Sequence, residues 1–358
     1  MNERQPVLSP PNSRGHVSVA RLANYWYIAC LSKELSKTPL SRTVLGLPLV
    51  LFRDSNGAAH CLIDRCPHRN ALLSNGLVEG DTLRCGYHGW RFTGDGNCVE
   101  VPGLCGEPGA RGRRVTAFST VEQDGYVWIY CNPEEEASHP PFKLPLTDEK
   151  GFTTVKGEFV INGTMHATLE NILDVPHTAF LHGGLFRTNR ERQEITAVIR
   201  RTPTQVEVEF IGEKSPTGLV GRVLAPGGGE VAHFDRFLMP SMAQVEYRLG
   251  EKSRLLATQI LTPVSDFVTR GYVAISYRLP LPGWIVQPFV EPVLWRILKQ
   301  DADMLQSVSS NVDRFGGERY TSTELDVLGP HIWQMLKQAE KGESPSLETS
   351  ERRIQMMV

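Results

Sequence analysis

The sequence predicts an α+β fold in two parts: a small all-β domain, then a larger domain that mixes strands and helices. Two observations carry this. From Asn24 to Pro133 the chain is made of short β-branched and aromatic runs separated by Gly, Asn and Asp turns. Beyond a composition break at Glu134-Glu135-Glu136 and Pro140-Pro141, alternating strand patterns lead into one long helical stripe. We therefore expect a loose polar tail over residues 1–20, a first domain over 21–135 and a second over 136–358.

The elements follow in order. Leu49 to Arg53, the turn Asp54-Ser55-Asn56-Gly57 and His60 to Ile63 read as a β-hairpin. Gly125 to Tyr130 is a further strand. In the second part, Met165 to Leu181 carries a helix-like segment. Val198 to Ile211, Gln244 to Ile260 and Tyr272 to Tyr277 read as strands, and Gly227-Gly228-Gly229 as a hairpin tip. Val290 to Val312 is the long helix.

Composition narrows the function. A chain of 358 residues that is 41% hydrophobic can bury a real core. Its 38 Lys and Arg against 40 Asp and Glu give a net charge of −2, which makes no case for a nucleic-acid partner. Seven scattered cysteines are not a disulfide framework. The stretch Met1 to Arg21 has no signal-peptide core, and no run has the apolar length of a spanning helix. A soluble cytoplasmic protein is expected.

Two groups of residues carry chemistry. Cys66-Pro67-His68 and Cys85-Gly86-Tyr87-His88 form two arms, each with one thiolate and one imidazole. Such a set suits a structural zinc ion. It also suits a [2Fe–2S] cluster with Cys66 and Cys85 on one iron and His68 and His88 on the other. The second group is Asp174, His177 and His182. On an undistorted helix the two histidines would point about 140° apart, but Pro176 and Gly183-Gly184 argue for a broken helix. Two histidines need a third ligand to hold a catalytic iron. Asp301 lies on the apolar stripe Leu294, Leu298, Leu305 and Val308, where an acid is costly unless paired or metal-bound. Asp303 is the competing carboxylate and faces away from that stripe. Two His and one Asp make the facial triad of a non-haem Fe(II) oxygenase.

These residues together resemble the oxygenase (α) component of the Rieske non-haem iron oxygenases, from about Asn24 to Asn311. C-P-H…C-x-x-H-G-W and Glu170-Asn171-x-x-Asp174-x-x-His177-x-x-x-x-His182 carry the resemblance. It is closest to the α-only monooxygenase and demethylase branch. It implies an N-terminal all-β Rieske [2Fe-2S] domain and a catalytic domain with an antiparallel sheet flanked by helices. It assigns the cluster to Cys66, His68, Cys85 and His88, and a mononuclear Fe(II) to His177, His182 and Asp301. Asp174 would bridge His177 to His88 of a neighbouring subunit in a homotrimer, although it also suits the cap of a broken helix. O2 is the implied co-substrate. A separate reductase, with or without a ferredoxin, would bring electrons from NAD(P)H.

The substrate is read from the residues around the iron site. Leu185, Phe186, Phe234, Phe237, Leu238, Met239, Met242, Leu256 and Ile260 are expected to build an apolar pocket. That favours hydroxylation or oxidative demethylation of a bulky apolar molecule, such as a terpenoid, sterol-like or polycyclic compound. A small aromatic acid is the alternative, with Arg187, Arg222 or Arg236 as its cation. A non-catalytic Rieske electron carrier is the alternative of another class. His16, His60, His139, His166, His233 and His331 read as surface or core histidines. The stretch Pro282 to Val290, running into Trp295, reads as core-packed linker or as an apolar lip able to touch a membrane transiently at its inner face.

Overall fold

The structure is a computed structural model and describes residues 12–110, 112–183, 193–213, 231–249, 253–280, 282–343 and 350–358. The expected hairpin tip Gly227-Gly228-Gly229 and the pocket candidates Leu185, Phe186, Arg187 and Arg222 lie outside these.

Two compact units are present. The first contains Ala23–Lys143 and Thr262–Ser265; the second contains Asn12–Leu22, Leu144–Leu261 and Asp266–Val358. The chain leaves the first unit at Lys143, later than the composition break suggests. Trp26 Nε1 donates to the His139 carbonyl at 2.7 Å and Gln123 Nε2 to the Phe142 carbonyl at 3.0 Å, which ties this stretch back. The tail expected over residues 1–20 is fixed from Asn12 onward. His16 and Ser18 are buried, the Ser18 N–H donates to Glu318 Oε2 at 2.7 Å, and its hydroxyl pairs with Thr164 Oγ1 at 2.9 Å.

In the first unit the expected hairpin is Leu47–Arg53 against Ala59–Ile63, antiparallel from Leu49↔Ile63 to Arg53↔Ala59. Asp54 shapes its turn by accepting from the Asn56 N–H at 2.9 Å and the Ala58 N–H at 2.8 Å. Strand Leu47–Arg53 divides two small cores by its side-chain alternation. Leu49 and Leu51 join Tyr27, Cys61 and Ile129, whereas Val50 and Phe52 join Leu83, Phe92, Cys66 and Cys85. The second core is the floor under the two Cys/His arms.

The second unit is an eight-stranded sheet in the order Thr153–Ile161, Val268–Arg278, Ser253–Ser265, Met242–Leu249, Val231–Leu238, Gln205–Ile211, Glu194–Arg201, Ser350–Met357. Its described helices are α1 (Met165–Ile172), α2 (Thr178–Leu181), α3 (Gly283–Phe315) and α4 (Gly329–Glu340). Thr164 caps α1 by accepting from the Ala167 N–H at 3.1 Å. Helix α3 starts at Gly283, well before the expected start, and carries Pro288 and Pro292 inside it. Its buried stripe of Val286, Leu294, Leu298, Asp301, Leu305 and Val312 includes the acid singled out from sequence. Val286, Leu294 and Leu298 pack with Val155, Val273 and Ile275 of the sheet. The N-terminal lip stays in solvent: Trp284 is 76% and Phe289 67% exposed. No helix among the described residues is long and apolar enough to cross a membrane.

One charge cluster on the sheet sets a pH limit. The Glu246 carboxylate, 1% exposed, meets Arg236 Nη1 at 2.7 Å, Arg248 Nε at 2.6 Å and Arg254 Nε at 2.8 Å. Burial works to raise its pKa, but Arg248 and Arg236 with Arg254 outweigh it and hold the acid at about 2. The folded-state value lies below the ordinary 4.5. The resulting stability is therefore full above about pH 4.5 and is lost as pH falls toward about 2. Glu246→Gln is expected to cost about 3 kcal/mol at neutral pH. In urea unfolding the gap between wild type and variant should close over that acid window. A gap that does not change with pH would contradict the assignment.

Candidate metal centres and substrate cavity

The two arms are built alike. The Cys66 N–H donates to the Ala71 carbonyl at 2.8 Å, and the Cys66 carbonyl accepts from the Asn70 N–H at 2.9 Å. In the second arm the Cys85 N–H donates to the Trp90 carbonyl at 2.8 Å, and its carbonyl accepts from the Gly89 N–H at 3.1 Å. Gly89 has φ +74°, and a Cβ there would press on Pro102, so glycine closes this loop. Both cysteines are 2% exposed, His68 is half-buried and His88 is exposed. The thiols thus lie inside and the imidazoles outside. The two imidazole rings sit 4.4 Å apart, and Trp90 stacks on His68 at 4.8 Å.

These residues fit a two-iron cluster. The His68 Nδ1 atom is buried and makes no hydrogen bond, an expensive state for a ring nitrogen with no metal on it. Burial pushes the Cys66 thiol up to about 11, so thiolate forms here only against a cation. A single zinc would gather all four donors around one point. Among the described residues only His177, His182 and Asp301 bring three such donors within 4.8 Å of one another. The Cys/His set is more spread out, as ligation shared between two irons requires.

That triad is the second candidate centre. His177 and His182 flank the four-residue helix α2, so the helix is as short as Pro176 suggested and both rings can turn inward. Their Nε2 atoms approach to 3.2 Å. Asp301 Oδ1 lies 3.1 Å from His182 Nε2 and 3.6 Å from His177 Nε2. It is buried and has no contact of hydrogen-bond geometry. The other ring nitrogens are held from behind. His177 Nδ1 donates to the Asp174 carbonyl at 2.5 Å, and His182 Nδ1 donates to Gln300 Oε1 at 3.0 Å. Both bonds fix the tautomer that leaves an Nε2 lone pair facing the common point. Gln300 was visible in the sequence only as a neighbour of Asp301; its orienting role comes from the fold. Asp303 is in solvent, paired with Lys299 at 2.7 Å.

The triad closes one end of a cavity of about 290 Å3. Its wall differs from the expected one. Val245, Tyr247, Leu255, Ala257 and Gln259 line it, with Phe289, Val293 and Ile297 of α3. Phe234, Phe237, Leu238, Met239, Met242, Leu256 and Ile260 are not among the lining residues. Adjacent strand residues point to opposite faces, so Leu256 and Ile260 turn away from a cavity that takes Leu255, Ala257 and Gln259. Arg236 also turns away and is bound by Glu207 at 2.5 Å and Glu246.

His233, read from sequence as an ordinary histidine, is in this wall. Its Nδ1 meets Glu213 Oε2 at 2.7 Å and its Nε2 meets Asp235 Oδ1 at 3.0 Å. Burial works to lower its pKa, but Asp235 and Glu213 outweigh that and push it up to about 9. The alternation His233-x-Asp235 was the available signal, since it puts both on one strand face.

Comparison with known proteins identifies the domain that carries each group of residues. Residues 25–108 match the Rieske [2Fe-2S] domain, and residues 161–342 match the vanillate O-demethylase oxygenase C-terminal domain. The chain is 33% identical over 348 residues to 4beta-methylsterol monooxygenase of Methylococcus capsulatus, covering 92% of this chain and 90% of that one. It is 36% identical over 206 residues to the dicamba O-demethylase oxygenase component of Stenotrophomonas maltophilia, covering 56% of this chain and 59% of that one. That second alignment thus spans under two thirds of the dicamba enzyme. Among solved structures, dicamba monooxygenase bound to dicamba superposes with a TM-score of 0.75 at 24% identity, over 90% of this chain and 98% of that one, and so shares its fold. The chain belongs to the Rieske non-haem iron oxygenases. Its C-terminal half puts it in the branch of the vanillate O-demethylase oxygenases, enzymes that carry a Rieske cluster and a mononuclear iron.

Proposed function

We propose that this oxygenase hydroxylates or oxidatively demethylates a bulky, largely apolar small molecule, using O2 and electrons from a separate reductase. In this reading Cys66, His68, Cys85 and His88 hold the cluster, and His177, His182 and Asp301 hold the iron. The observation that carries it is the convergence of two Nε2 atoms and one buried carboxylate oxygen at the end of a mostly apolar cavity. Ferrous iron bound there would supply O2 activation with open coordination positions. The chain's own part is to hold the substrate in line with that point and to keep water from it. Helix α3 contributes to both, through Asp301 and through Phe289, Val293 and Ile297 in the wall.

The aromatic-acid alternative needs a cation for the carboxylate. Among the described residues Arg236 is engaged by Glu207 and Glu246, and the cavity lining is mostly apolar, which favours the apolar substrate. Asp174, with its side chain about one-third exposed, suits a head-to-tail trimer in which it faces a neighbouring cluster. Anaerobic metal analysis after Fe(II) loading tests the assignment. About three irons per chain are expected, two in the cluster and one at the triad. A chain that saturates at two would be an electron carrier.

A further inference from the structure

Two side-chain oxygens of cavity-lining residues are buried and make no hydrogen bond: Oε1 of Gln259 and Oδ1 of Asn171. A buried acceptor left without a donor is costly. The side chains beside Gln259 on its strand face offer none. Its neighbours two positions away are Ala257 and Leu261, and the residue opposite it is Ala243. Asn171 stands on α1, three residues before Asp174. The sheet directs Gln259 toward the triad as well. Helix α3 runs alongside strand Thr153–Ile161: a Cβ on Gly283 would strike Thr153, one on Gly157 would strike Trp295, and one on Gly163 would touch Leu305. Strand Val268–Arg278 runs the other way, with Tyr277 opposite Thr153 and Thr269 opposite Ile161. Strand Ser253–Ser265 is its neighbour, joined to it only through Asp266 and Phe267, and so turns back again. The step from Leu255 through Ala257 to Gln259 therefore goes the way α3 goes toward Asp301. Of these three lining residues Gln259 is nearest the triad, and it is the polar one.

We propose that Gln259 is a specificity-determining residue: its carboxamide takes a hydroxyl carried by an otherwise apolar substrate, at the end of the molecule that reacts. This deepens the apolar-substrate reading above and rests on it. The hydroxyl donates to Oε1, and its own lone pairs can meet the amide N–H groups. A carboxamide carries no charge, so an uncharged partner satisfies it without the cost of burying an ion. The substrate is then oriented as well as enclosed. Its hydroxyl and reacting carbon lie toward His177, His182 and Asp301, and its apolar body lies along Leu255, Val290 and Val293.

The test uses the full chain loaded with both cofactors, kept anaerobic, and equilibrium dialysis of three probes of one shape: adamantane, 1-fluoroadamantane and 1-adamantanol. The alcohol should bind about tenfold more tightly than either of the others, because it alone supplies a donor to the buried oxygen. Gln259→Met keeps the length of the side chain and removes its amide. It should bring the three probes within about twofold of one another, by weakening the alcohol and not the hydrocarbon. Gln259→Leu takes its place if the methionine variant loads less iron than the wild type. Equal binding of adamantane and adamantanol by the wild type overturns the inference and leaves the apolar cavity standing. So does fluoroadamantane bound as tightly as the alcohol, since it has no proton to donate. An alcohol advantage that survives whole in the variant removes Gln259 from the role. No binding by any of the three overturns this inference and the apolar reading together.

Discussion

Replacing Asp301 with Ala is expected to empty the mononuclear site and abolish turnover, while the cluster keeps its full visible absorption. The carboxylate oxygen sits 3.1 Å and 3.6 Å from the two imidazole nitrogens and has no hydrogen bond of its own. Two imidazoles remain in the variant, both still oriented by the Asp174 carbonyl and Gln300. Residues that merely orient a ligand cost about 10–100-fold in metal affinity when removed. Loss of a ligand itself should cost at least about a hundredfold. Asp303→Ala is the matched control. It removes a carboxylate from the same helix, but one that is exposed and paired only with Lys299, a contact worth little in solvent. Iron content and turnover should stay at the wild-type level there. The measurement is iron per chain after anaerobic loading, with the cluster's absorption as internal standard. Equal iron in Asp301→Ala and wild type would remove Asp301 from the site.

The contrast between these two acids shows how much the chain discloses before folding. Asp301 was legible because helical periodicity is local: its place on the stripe of Leu294, Leu298 and Leu305 follows from spacing alone. The Cys/His arms were legible for the same reason, since each loop closes on itself through backbone bonds a few residues apart. The cavity wall was not. Both faces of strand Ser253–Ser265 carry apolar residues, and alternation says only that Leu255 and Leu256 diverge, not which of them meets the cavity. That choice is made by α3, which packs from far along the chain. Glu213 and His233 meet only because strands Gln205–Ile211 and Val231–Leu238 pair, with Phe210 opposite His233. The start of α3 was hidden differently. Pro288 and Pro292 read as helix breakers, yet the helix runs through both, and Val286 and Leu294 still reach the sheet.

Asp174→Asn is expected to leave both metal centres filled and to lower turnover about a hundredfold or more, with little change in substrate KM. The geometry makes this substitution unusually clean. His177 is steered chiefly by the backbone carbonyl of residue 174, at 2.5 Å, which the variant keeps. The side chain accepts from the His177 N–H at 3.2 Å, and an asparagine oxygen can do the same. Shape and cap are therefore preserved, and what disappears is the negative charge 3.3 Å from His177 Nδ1. If Asp174 is only a cap, Asn replaces it and activity survives. If its charge links His177 to a neighbouring subunit, as the family resemblance implies, the reduced cluster should reoxidise slowly when O2 and substrate are added together. Single-turnover absorbance of the cluster reads that rate directly, and iron analysis on the same sample shows that the triad is still loaded. A variant with full iron and wild-type reoxidation would reduce Asp174 to a cap; one that had lost its iron would make it a support for His177. The charge reading predicts neither, because only it separates metal content from electron delivery.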